Sequence, residues 1–124
     1  MTAVQRRQLW MCMELLGAAW DAMCFEVDCA YDPFSEEIPE EGAVALETVR
    51  NDLWCVWQLN VQITNQTPEM IAVVPFAHTV RDWLRRLDFE MYSLGDVRDI
   101  RSAVYLYYVK IKKNLAANQK ELAA

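Results

Sequence analysis

Glycine and proline are scarce in this 124-residue chain, at three and four residues respectively. Sandwiches and barrels need turns every 8–12 residues or so, which this composition cannot supply; it favours long uninterrupted elements instead. With only Gly17, Gly42 and Gly95, no glycine-rich loop for cradling phosphate can be assembled. Histidine occurs once, as His78. Pro75 stands three residues before it, so the Glu-x-x-His pairs of di-iron bundles are absent too. Charges interrupt every apolar run before about 18 residues, short of a membrane span. Cys12, Cys24, Cys29 and Cys55 include no Cys-x-x-Cys pair, which disfavours zinc and redox motifs.

The most informative absence is of positive charge. From Gln8 to Val49 there is no Lys, Arg or His, yet that stretch holds ten carboxylates, from Glu14 to Glu47. Residues 1–62 carry three basic and eleven acidic residues, a net of −8; residues 63–124 carry nine and seven, a net of +2. A folded protein must neutralise such a field internally or present it to something basic. Direct binding to nucleic acid, which requires a basic face, is not expected.

What is present is apolar matter: 54% of the residues, with five Trp, five Tyr and four Phe. That is enough for one well-filled core, and the chain is read as a single domain of residues 1–124. A domain of this kind needs no disulfide staples, so the four cysteines are expected as reduced, mostly buried thiols in a cytoplasmic protein. Arg6 and Arg7 precede an apolar stretch, but Glu14 and Asp21 inside it argue against a signal peptide.

Helical periodicity organises the chain into an all-α bundle. Thr2 and Gln5 form a capping-box pattern, followed by Leu9, Met13, Leu16, Trp20, Met23 and Val27 at steps of three and four, which predicts a helix over 3–27. Its apolar arc is wide, as for either the central helix of the bundle or a helix with a core face and a partner face; Leu9, Met13, Leu16 and Trp20 should be core while Trp10, Met11 or Ala18 faces a second surface. Residues 28–42, with Pro33, Pro39 and Gly42 among acids, read as a long acidic loop. Over 43–65 a helix competes with a strand. Trp57, Leu59, Val61 and Ile63 alternate with polar residues. The helical template accounts for more of the segment, and on it only Asn60 falls on the wrong side.

Thr67-Pro68 opens a short helix over 68–74 that Pro75 ends. Phe76, Val80, Trp83, Leu87, Met91 and Leu94 predict a helix over 76–94, closed by Gly95 in the left-handed position, and Asp96 caps a last helix over 97–115. From Ala116 onward the chain lacks anchors and is expected to fray.

No catalytic constellation accompanies this fold. His78 and Asp82 lie one helical turn apart, but no nucleophile is identified for them. Asp28, Asp32, Glu36 and Glu37 are hard oxygen ligands without the spacing of a calcium loop. Neither metal nor cofactor is expected, and the chain reads as non-enzymatic. Trp10, Trp54 and Tyr105 lie off the apolar stripes and, with Asp32, Glu36, Glu37, Glu40 and Glu41, form the expected protein-binding set. The partner expected is a protein with a basic, nucleic-acid-binding type of surface, as for a small inhibitor or immunity-type protein. The alternative is a helical homodimer packed through the first helix. Arg81, Arg85, Arg86, Arg98 and Arg101 are available to answer part of the acidity internally.

Overall fold

A computed structural model describes residues 2–28, 40–66, 68–88 and 93–123. They form α1 (Ala3–Ala22) running into a π-helical turn (Met23–Asp28), α2 (Glu40–Gln66), a 3-10 turn (Pro68–Ala72), α3 (Ala77–Arg86) and α4 (Leu94–Ala123). The fold is an all-α bundle, and no strand occurs among the described residues.

Helix α1 starts where the capping box places it. The Thr2 amide donates to Gln5 Oε1 at 2.8 Å and the Gln5 amide to Thr2 Oγ1 at 3.1 Å, satisfying two otherwise orphaned donors. Leu9, Cys12, Met13, Leu16, Ala19 and Met23 then form its buried stripe, while Trp20 is half-buried. The helix is central, packing along both α2 and α4. Gly17 of α1 meets Tyr108 of α4, and Trp20 meets Tyr105, so the two helices run antiparallel. A Cβ on Gly17 would stand 3.1 Å from Tyr108 Cε2, so the glycine is what lets that ring lie on the helix.

Helix α2 is continuous through the segment whose alternation also suggested a strand. Leu46, Val49, Leu53, Val56 and Ile63 are buried, whereas Glu47, Asn51, Gln58, Gln62 and Asn65 are exposed. Leu59 and Val61 are only half-buried, so the period-2 pattern has no corresponding face. Asn60, the residue that fits the wheel badly, is 1% exposed. Burial won over polarity there because the position falls between Val56 and Ile63 on the core stripe. The helix begins at Glu40, so Glu40 to Gly42 belong to its first turn rather than to a loop over 28–42; Asp28 likewise ends the π-helical turn. Residues 29–39, with Asp32, Glu36, Glu37 and Cys29, lie outside the described residues.

The short helix expected over 68–74 is a 3-10 turn over Pro68–Ala72, closed by the Val73 and Val74 amides donating to the Met70 carbonyl. Its expected cap, Thr67, lies outside the described residues.

The helix expected over 76–94 ends eight residues early, at Arg86. Its apolar stripe extends beyond the helix, and that misled the periodicity. Phe76 is an exposed N-cap, Leu87 is the buried C-cap, and Leu94 already belongs to the next helix. A stronger local signal sits at the start of α4. The Asp96 amide donates to Ser93 Oγ at 3.1 Å, and the Ser93 amide donates back to Asp96 Oδ2 at 3.1 Å. Ser93 is therefore the cap and Asp96 its reciprocal partner three residues on. Gly95 stands inside the first turn of α4 and does not occupy a left-handed C′ position.

Arg86 at the end of α3 donates to Asp96 Oδ1 from Nε and Nη2 at 3.1 and 2.9 Å, and to Asp99 at 3.3 Å. Those hydrogen bonds, with the bonds from Ser93, hold the Asp96 carboxyl below its usual value of 3.8. Because the folded pKa is depressed, this contribution is present above the unfolded value and is lost as pH falls through the folded one. Asp96→Asn should cost about 1 kcal/mol at neutral pH, given a half-exposed pair and a cap. In urea melts its deficit relative to the wild type should shrink below about pH 3.8; a deficit independent of pH would mean the charge is irrelevant.

Helix α4 buries Val97, Ile100, Val104, Ile111 and Leu115 and, instead of fraying at Ala116, runs to Ala123. Apart from Asn118, its residues from 116 to 123 are Ala, Gln, Lys, Glu and Leu, all strong helix formers. Buried residues from all four helices join one core, which includes Val80 and Trp83 from α3.

Candidate protein-binding surface

The wide apolar arc of α1 divides as its spacing demands. Leu9, Met13 and Leu16 point into the bundle, whereas Trp10 is 53% and Met11 46% exposed, with Ala18 also exposed. Alongside α2 this outward face forms one wall of a groove of about 760 Å³. Trp10, Met11, Glu14 and Leu15 line one side, and Cys55, Gln58, Leu59 and Gln62 the other. Among the described residues Glu14 is the one charged side chain in that lining. An apolar floor with an amide rim and a single carboxylate suits an apolar side chain whose neighbour is Lys or Arg.

Trp54 and Tyr105 are exposed, as expected, at 49% and 44%. The three aromatics have different partners. Trp54 stacks on Trp57 of the same helix, ring centroids 5.1 Å apart. Tyr105 belongs to the α1–α4 side, 5.2 Å from Trp20 and 6.4 Å from Tyr108. Trp20 in turn meets Phe25 edge-on at 6.4 Å. Phe25 and Leu106, at 67% and 68% exposed, enlarge this patch and were not among the residues singled out from sequence. Leu106 directly follows Tyr105, so it falls outside the α4 stripe, which is the signal that finds it.

Of the acidic set, Glu40 and Glu41 are the first two residues of α2, where carboxylates suit the positive end of the helix dipole. Asp32, Glu36 and Glu37 lie outside the described residues. Two of the arginines offered as internal counter-charges are engaged within their own half of the chain. Arg85 bonds Asp82 at 2.8 Å, and Arg86 bonds Asp96 and Asp99. Asp82 is thus taken by Arg85, and His78 stacks on Phe76 instead of completing a His–Asp pair. Those groups border a polar hollow of about 590 Å³ with Thr79 and Arg81.

Among the described residues no three His, Cys, Asp or Glu side chains converge as a metal site would require. No helix among them is long and apolar enough to cross a membrane.

Cys12, Cys24 and Cys55 are of graded accessibility: buried, half-buried and exposed. Burial pushes the Cys12 thiol up to about 12. Cys55, expected to be shielded, is instead exposed on the groove wall, because it sits beside the α2 core stripe and not on it. An aromatic disulfide reagent should therefore label Cys55 fastest and Cys12 only on unfolding. Mass spectrometry of partially labelled protein checks the order, and early labelling of Cys12 would contradict its burial.

No protein-family model, curated protein sequence or solved structure matches this chain.

Proposed function

We propose that this protein is a non-enzymatic protein-binding module, an inhibitor or immunity-type protein of the reducing cytoplasm that occupies a basic surface of a target protein. The observation that carries the reading is the half-exposed pair Trp10 and Met11 on a groove whose charged member is Glu14. Large aromatic side chains left in water beside an apolar groove are characteristic of binding hot spots. The first half of the chain, at a net of −8, supplies the long-range attraction to a basic target. In this division of labour the groove holds the partner and the carboxylates bring it in.

Affinity capture from the native host followed by binding kinetics tests this. Trp10→Ala should speed dissociation about tenfold or more, the loss expected of a hot-spot anchor. Replacing Glu36, Glu37, Glu40 and Glu41 with Gln should slow association severalfold at low salt, with an unchanged melting temperature and an effect that fades beyond about 0.15 M salt. Association and dissociation both untouched by these variants would remove the groove and the acidic block from the interface.

A second reading is a homodimeric assembly subunit packed through α1. It is favoured by the exposure of Val4, Met11 and Ala18 along one line of that helix. Sedimentation distinguishes the two, since the dimer would have about twice the 14.4 kDa of the chain.

A further inference from the structure

Helix α1 carries a second seam besides its core stripe. Val4, Met11 and Ala18 lie seven residues apart on α1, with Phe25 a further seven on in the π-helical turn, and all four are exposed. Arg7, Glu14 and Asp21 fall between them, also seven apart and also exposed. Together they alternate steps of three and four along the outward side of α1, beside the groove that Met11 and Glu14 form with α2. A seven-residue repeat of apolar positions is the pattern by which one helix packs lengthwise on another. Here the seam spans roughly 30 Å at 1.5 Å per residue.

The charges on this seam change sign along the helix: positive at Arg7, negative at Glu14 and Asp21. A line of that kind complements a reversed copy of itself, whereas a parallel copy would set like charge on like. A two-fold axis through Glu14 would press Glu14 against its own counterpart. An axis between Trp10 and Met11 instead sets Arg7 of each copy opposite Glu14 of the other. It also places each Trp10 over the other copy's Met11, at the mouth of the groove lined by Leu15 and Leu59. Both exposed apolar side chains are then covered by a single operation.

We infer that α1 is an isologous interface for a second copy of this chain, packed antiparallel about an axis between Trp10 and Met11, with reciprocal Arg7–Glu14 pairs. The inference rests on the homodimer reading above and adds its register. Isologous contacts are self-complementary by symmetry; the part of the seam this axis pairs is residues 3–18, with Asp21 and Phe25 beyond the overlap.

The test is a charge exchange. Arg7 and Glu14 are exposed, so Arg7→Glu and Glu14→Arg should leave the circular dichroism spectrum and melting of the monomer intact. Each variant alone should weaken self-association about tenfold or more by analytical ultracentrifugation, because every dimer then carries two like-charged pairs. An equimolar mixture of the two variants should recover the original affinity as a heterodimer, since glutamates of one chain then face arginines of the other at both positions. The double variant Arg7→Glu/Glu14→Arg should recover it as a homodimer. A dimer indifferent to all four combinations would overturn the register while leaving the homodimer reading standing. A monomer at every concentration tested would overturn both.

Discussion

Leu53→Ala should lower the free energy of unfolding by about 2–5 kcal/mol, the range for emptying a leucine site in a close-packed core. Leu53 is 0% exposed and sits midway along α2, a helix that packs against both α1 and α3. The cavity therefore opens where several helices share one contact surface, and the backbone can collapse into it only by bending a 27-residue helix. Domains of this size hold about 5–15 kcal/mol in total, so the variant should unfold at a visibly lower urea concentration with an unchanged slope. Leu106→Ala supplies the control. That side chain is 68% exposed, and its removal should stay within about 0.5 kcal/mol. If the two variants cost the same, Leu53 is not in the core of the folded protein.

The second large effect has the opposite sign. Asn60 is the one buried polar residue in the core, and its Nδ2 finds no hydrogen-bond partner among the described residues. A buried donor without a partner costs about 1–3 kcal/mol of desolvation. Leucine has nearly the same shape as asparagine and asks for no partner, so Asn60→Leu should stabilise the protein by about that amount. The adjacent hydrogen bond survives, because Thr64 Oγ1 donates to the backbone carbonyl of Asn60 and not to its side chain. Asn60→Asp tests the same site from the other direction. It places an ionisable group among apolar residues, which should cost several kcal/mol at neutral pH. Burial would raise the folded pKa of the new carboxyl. Its penalty should therefore be absent below the unfolded value of about 3.9 and grow as pH rises toward the folded one. Parallel urea titrations at acidic and neutral pH read both effects, and a destabilised Asn60→Leu would mean that the amide makes a bond essential to the core.

Asn60 also shows how closely the sequence tracks the fold. The helical wheel of α2 already marks it as the discordant residue, because Val56, Asn60 and Ile63 follow the same three- and four-residue steps. What the wheel cannot supply is the consequence. A polar side chain on a core stripe can bend outward, pair, or remain unpaired, and only the packing of the surrounding helices fixes which. The boundary between α3 and α4 is a second case. Leu87, Met91 and Leu94 continue the apolar rhythm of α3, yet α3 ends at Arg86; Met91 lies outside the described residues. The Ser93–Asp96 cap and the grip of Arg86 on Asp96 define a new helix start that periodicity alone overlooks.

The candidate surface divides along the same line. That Trp10, Trp54 and Tyr105 leave the core is readable from their positions off the stripes, because a helix has only one way to rotate its apolar face inward. What each of them meets there is not. Tyr105 reaches Trp20 only because α4 lies antiparallel on α1, and Trp10 borders a groove only because α2 lies along its other side.

The sequence by itself determined the helical class, the capped start of α1, most of the buried positions of α1, α2 and α4 and the acidic character of the first half. These follow from residue spacing and local hydrogen bonding, which act within a few positions of each other along the chain. Tertiary structure alone decided that α1 is the central helix, that Gly17 admits Tyr108, that Cys55 faces solvent on a groove wall and that Asn60 is sealed without a partner for its Nδ2 among the described residues. Each of these depends on which helix lies against which. That choice is made by the sum of many small packing contacts between residues far apart in the chain, and no local pattern records it.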